Sequence, residues 1–253
     1  MSRQELRAPD AFQRAGLEAR SWVSHRKTLV VGAVVAVIAL GFAIALTKTL
    51  SDRKELKARA ALGTALGVLS RPIQADLPPG ASDDPPPFKS EQERDQAAAS
   101  ALAGVLSGYP GTRAAVTATL PLAATLVRLG QLDTAIAHFE AYLRAAPETE
   151  PLRVSALDGL GHAREAKGEL PQALEAYERM ARAEGAGFEP GMGAFHRGRI
   201  LVLMGKKQEA AQAFAELIAA NPGTPAARLA QERLPALEAE GFRATVAAKP
   251  DAG

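Results

Sequence analysis

The chain has 253 residues, 47% hydrophobic but only 5% aromatic, so its core must be built mainly from alanine and leucine, a composition that leans helical. It contains no cysteine, which excludes disulfide staples, thiolate metal sites and cysteine nucleophiles. Residues 1–27 carry six Lys/Arg against three acids, 48–60 carry five against two, and 61–253 carry nineteen against twenty-three. The basic excess thus flanks one segment, which excludes a nucleic-acid stripe and fits contact with lipid headgroups.

The leader, 1–27, has one helical pattern. Phe12, Ala15, Ala19 and Trp22 share a face, and Asp10 with Gln13 forms a capping box. The residues suit a helix lying on a membrane surface and a frayed tail equally. Thr28 to Thr47 then runs for 20 residues without a charge. As a helix it is about 30 Å long, the thickness of a bilayer core. Arg26, Lys27 and Lys48 close its ends, and Trp22 sits where an interfacial aromatic would. Ala43-Ile44-Ala45 has the look of a cleavage site. The apolar run is too long for a signal peptide, however, and the expectation is an uncleaved anchor at 28–47 in contact with lipid. Basic residues flank both ends, so charge alone does not orient it.

A helix entering the soluble domain is expected over 48–70. Residues 71–88 hold six prolines and form a loop. Ser90 with Glu93 restarts a helix, which opens the domain expected over 89–240.

From there three segments align: LGQLDTAIAHFEAYLRAAP (129–147), KGELPQALEAYERMARAEG (167–185) and MGKKQEAAQAFAELIAANP (204–222). Each has a turn glycine: Gly130, Gly168, Gly205. Five residues on stand Ala135, Ala173 and Ala210, and nine on stand Phe139, Tyr177 and Phe214. Seven residues before the glycine stand Ala123, Gly161 and Gly198. The glycine lets one helix end and turn, the small residues let two antiparallel helices approach, and the aromatic fills the gap between units. Such a pair cannot bury its apolar face alone, so units stack.

This pattern resembles the tetratricopeptide repeat, with units at about 116–149, 154–187 and 191–224. The expected fold is all-α: an N-terminal transmembrane helix, then an α-solenoid of antiparallel helix pairs closed by a capping helix at 224–240 and a disordered tail from 241 to 253. There are departures. The family's small residue twelve after the glycine is replaced by Tyr142, Met180 and Leu217, which predicts looser or rearranged packing. Pro121 predicts a kink or a late start in its helix.

The whole arrangement is similar to the bacterial ancillary subunit of the SecYEG translocon. The stretches SWVSHRKTLVVGAVVAVIALG and RDQAAASALAGVLSGYPGTRAAV carry that likeness. It implies an inner-membrane protein with a cytoplasmic N-terminus and a periplasmic repeat domain. It also implies contact with translocon components, periplasmic chaperones or envelope assembly proteins. The Pro-rich 71–88 is not expected of that family.

No phosphate-binding loop, dinucleotide fingerprint, HExxH or GxSxG is present. No two of the four histidines share a metal-ligand spacing on one helix. No cofactor, no metal and no catalysis are expected. In repeats of this kind the first helix of each unit lines the concave face. The resemblance therefore implies a partner-binding groove of Asp158, His162 and Glu165 from the second unit with Phe195, Arg199 and Val202 from the third. The same residues also suit plain solvated positions.

Overall fold

A computed structural model describes residues 26–74, 86–183 and 190–244, and among them every regular element is a helix. The leader helix, the centre of the Pro-rich loop and the last nine residues lie outside the described residues. The chain divides into two compact units, Met1–Lys54 and Glu55–Gly253.

The first unit is dominated by the start of α1, Lys27–Leu69. At 43 residues this helix is about 65 Å long. The span expected at 28–47 and the helix expected over 48–70 both fall within α1, since nothing between Lys48 and Leu69 breaks it. Val37, Ile38 and Phe42 are 65–70% exposed, so no other described residue covers this part of the apolar stretch. The hydroxyls of Thr47 and Thr49 turn back onto the carbonyls of Ile44 (2.9 Å) and Ala45 (2.8 Å), which satisfies their polarity without water.

The second unit begins with the last turns of α1, where Ala58, Leu62 and Ala65 are buried in the core with Leu102 and Val105 of α2 (Glu91–Gly108). Ser90 caps α2 by accepting from Glu93 N at 3.2 Å. Glu93 Oε2 accepts from Lys89 N at 2.9 Å. Then come α3 (Arg113–Arg128), α4 (Leu132–Ala145), α5 (Leu152–Ala166), α6 (Leu170–Ala183), α7 (Met192–Leu203), α8 (Lys207–Ala220) and α9 (Pro225–Ala239). Each packs on its neighbours in sequence, as in a solenoid.

The turns between α3 and α4, α5 and α6, and α7 and α8 are one motif used three times. Gly130, Gly168 and Gly205 have φ of 72°, 82° and 75°. The next residue's N–H reaches back to the last helical turn at 2.8–2.9 Å: Gln131 to Leu126, Glu169 to Arg164, Lys206 to Leu201. This is the left-handed cap that glycine allows at no steric cost.

The aromatics sit on the small residues. A Cβ on Gly161 would lie 2.5 Å from the Tyr177 ring, and one on Gly198 would lie 2.4 Å from the Phe214 ring. Phe139 presses on Gly159 of the following unit, where a Cβ would lie 2.4 Å away. Tyr142, Met180 and Leu217 are buried, with at most 3% exposed, so the packing there is rearranged and not looser. At Leu217 a glycine makes the room. Gly193 lies against the Ala181 backbone, and Gly191 lies against Leu217.

Pro121 does not delay its helix. Thr112 starts α3 by accepting from Ala115 N at 3.1 Å, and α3 runs through the proline. Thr224 starts α9 in the same way, accepting from Ala227 N at 3.2 Å. In both places a Pro-Gly pair precedes the threonine, with φ of 77° at Gly111 and 81° at Gly223. α9 therefore begins as the first helix of a repeat does. Gly241 to Arg243 stay attached beyond it. Phe242 packs on the core, and Gln208 Nε2 donates to the Arg243 carbonyl at 2.8 Å.

Candidate functional site: a groove on the third repeat

Helices α5, α7 and α9 are the first members of successive pairs, and their exposed edges form a groove. It encloses about 430 Å³. Glu165 comes from α5, and Arg199, Val202 and Leu203 come from α7. Arg233 and Leu237 come from α9, and Lys207 and Glu240 close it. Lys207 Nζ donates to Glu240 Oε2. Leu203 is 54% exposed although apolar. The groove therefore has an aliphatic floor between paired charges.

Glu165 and Arg199 form its fixed polar element. Arg199 donates from both guanidinium ends to the Glu165 carboxylate, one bond measuring 2.7 Å. Such a fork is directional and stronger than a neutral hydrogen bond. It holds the Glu165 carboxyl below the usual carboxylate range and raises the Arg199 guanidinium. It also ties α5 to α7.

Beside the groove lies a ring cluster. His196 stacks on Tyr177 with centroids 4.8 Å apart, and His162 meets His196 edge-on at 5.1 Å. Burial lowers the His196 pKa to about 4, so this imidazole is neutral. His162 shifts the other way, because the Asp158 carboxylate beside it favours the charged form. Burial pushes the Tyr177 phenol up.

Three of the six residues expected to line a groove do so: Glu165, Arg199 and Val202. Asp158 and His162 gather one turn earlier on α5, against His196. Phe195 does not face the groove. It is 6% exposed and packs on Phe214 with centroids 5.9 Å apart. Adjacent helix residues point about 100° apart, so Phe195 goes to the core and His196 to the cluster. The sequence reading missed Leu203, Lys207, Arg233 and Glu240. Leu203, an apolar residue just before the turn glycine, was the one local signal.

A second ion pair also escaped sequence reading. Asp95 of α2 is 4% exposed and accepts from Arg128 of α3 at 2.7 and 2.9 Å. Arg128 also donates to Thr125 Oγ1 at 3.1 Å. This pair lies far along the array from the groove and joins two neighbouring helices.

Comparison with known proteins agrees with this architecture. The family profile of the tetratricopeptide repeat-like domain matches residues 20–239. Among solved structures, the nearly identical TPR-like repeats named for a kinesin light chain of Podosopora anserina align with a TM-score of 0.53 at 16% identity. That alignment covers 74% of this chain and 88% of that one. A tetratricopeptide repeat protein of Parabacteroides merdae aligns with a TM-score of 0.48 at 18% identity over 58% of this chain, which spans 55% of that protein's length. No curated protein matches the chain. The repeated glycine turns, the aromatic-on-glycine contacts and the match over most of its length agree, and the chain belongs to the tetratricopeptide repeat-like domain family, whose stacked helix pairs serve as scaffolds for binding other proteins.

Proposed function

We propose that this protein is a membrane-anchored, non-catalytic scaffold or chaperone-like adaptor of the bacterial cell envelope, and that the α5/α7/α9 groove holds a segment of its partner. The groove carries this reading. It combines an exposed aliphatic floor at Val202 and Leu203 with the Glu165–Arg199 and Lys207–Glu240 pairs. An extended segment or helix with an apolar anchor and charged flanks fits such a surface. The anchor is α1, the one described helix long and apolar enough to cross a bilayer. The likeness to the ancillary translocon subunit supports an inner-membrane location with the repeats in the periplasm. It also supports translocon components, periplasmic chaperones or envelope assembly proteins as partners. A second reading keeps the scaffold and changes its client: an assembly factor or accessory subunit that recruits an enzyme to another envelope complex.

Crosslinking in intact membranes, followed by alkaline washing and mass spectrometry, tests this. The expected result is a chain retained in the washed membrane, joined to a translocon subunit or a periplasmic chaperone. A chain released into the soluble fraction would overturn the anchor. Recovery of partners from an unrelated complex alone would transfer the scaffold to the second reading.

A further inference from the structure

One cluster of side chains has no part in the groove. Asp158 and His162 stand one turn apart on α5, and His196 reaches them from α7, one repeat further on. Asp158 Oδ1 is buried and has no hydrogen-bond partner. It lies 3.3 Å from His162 Nδ1 and 3.7 Å from His196 Nε2. The first nitrogen is already directed to the Asp158 backbone carbonyl at 3.0 Å, so the carboxylate oxygen feels the charge of the ring but receives no hydrogen bond from it. A buried acceptor with no donor costs free energy in any fold. A cation is the simplest group that would satisfy it and engage both rings.

We propose that Asp158, His162 and His196 form a binding site for a borderline divalent transition metal, zinc being the type, which clamps the second repeat to the third. The candidate ligand atoms lie within 4.8 Å of one another. Around a tetrahedral ion with bonds of about 2.0–2.1 Å, ligand atoms stand about 3.4 Å apart. Rotamer adjustments of an ångström or so close the triangle. Two imidazoles and one carboxylate select zinc, nickel or cobalt over magnesium and calcium, which require mostly oxygen. Three protein ligands leave a fourth position open, and His162, with its side chain 47% exposed, places that position at the surface. The ring of Tyr177 backs His196 and dries the inner side.

The surroundings also set a cost. Arg199 lies 3.3 Å from His196 Nδ1 and can only donate, so without metal the His196 proton sits on Nε2. Coordination through Nε2 moves that proton to Nδ1, and the contact with Arg199 must open. The guanidinium keeps its fork to Glu165, whose carboxylate offsets the positive charge beside the ion.

The test uses the full-length chain without an affinity tag, in detergent, stripped by a chelator and titrated with zinc against a chromophoric competitor. The expected result is one zinc per chain and a raised melting temperature, with no effect of calcium. Asp158→Asn and His162→Gln each weaken zinc binding about tenfold or more, whereas His138→Gln leaves it unchanged. Asp158 and His162 are both partly exposed, and unchanged circular dichroism separates lost binding from lost folding. Failure of the wild-type chain to bind zinc stoichiometrically would overturn the proposal. So would wild-type affinity in both site variants, which would place the ion elsewhere.

Discussion

Replacing Tyr177 by alanine will destabilise the repeat domain by about 3–5 kcal/mol, the usual cost of deleting a fully buried aromatic ring. Tyr177 is 0% exposed and does three jobs at once. Its ring fills the space that Gly161 leaves, where even one added carbon would lie 2.5 Å away. It stacks on His196 of the next unit and meets His162 edge-on at 5.7 Å. Its hydroxyl reaches toward Glu165 at 3.4 Å, beside the fork that joins α5 to α7. Its contacts with α5 hold the second unit together, and the stack on His196 of α7 couples that unit to the third. Against a total stability of about 5–15 kcal/mol for an ordinary domain, the loss is large. Tyr177→Phe keeps the ring and should cost only about 1 kcal/mol. Urea denaturation followed by circular dichroism measures both. A Tyr177→Ala loss no larger than that of Tyr177→Phe would show that the ring is not what joins these units.

The Asp95–Arg128 pair gives the second large effect, and it is asymmetric. Asp95 is buried, whereas the Arg128 side chain is 48% exposed. Arg128→Met keeps the aliphatic stem but leaves a buried carboxylate without its partner, which costs about 3–5 kcal/mol. Asp95→Ala leaves a guanidinium that can turn to water, and about 1–2 kcal/mol is expected. The pH dependence follows from the sign of one shift. The bonds from Arg128 hold the Asp95 carboxyl below its ordinary value of 3.8. The pair's contribution is therefore complete above about pH 4 and is lost as pH falls through the folded pKa below that. In Arg128→Met the bonds that lower the Asp95 pKa are gone, and burial raises it against only the weaker charge of Arg94, so protonation relieves the variant as pH falls. The stability gap between wild type and Arg128→Met should narrow on acidification from pH 7 to pH 4. A gap that widens would contradict the pairing.

The repeat was legible in the sequence because its determinants are local. A turn glycine, a small residue seven before it and an aromatic nine after it recur within single helix pairs, and Gly130, Gly168 and Gly205 behave alike in space. The contacts between pairs were not legible. Glu165 meets Arg199, and His162 meets His196, across 34 residues in each case. A search for ligand spacing within one helix passes over both. The error at Phe195 has a different cause. Phe195 suits an inward-facing position on a first helix as well as a core one, and a shift of one residue exchanges core for surface. The bulk of Tyr142, Met180 and Leu217 suggests looser or rearranged packing when each helix is considered alone, and the room for Leu217 comes from outside its helix, at Gly191 just before α7. The shared Pro-Gly-Thr start of α3 and α9 was visible in the sequence, but two copies so far apart do not announce a period.

The proposed function depends on partner binding in the groove of α5, α7 and α9. Photo-crosslinking in native membranes tests it most directly, with the reactive side chain placed at Leu203 in the groove or at Gln172, an exposed position on α6 outside it. Both sites tolerate replacement, since each is already exposed. Discrete adducts with a partner protein are expected from position 203 and none of them from position 172. The same adducts from both positions, or from 172 alone, would contradict it.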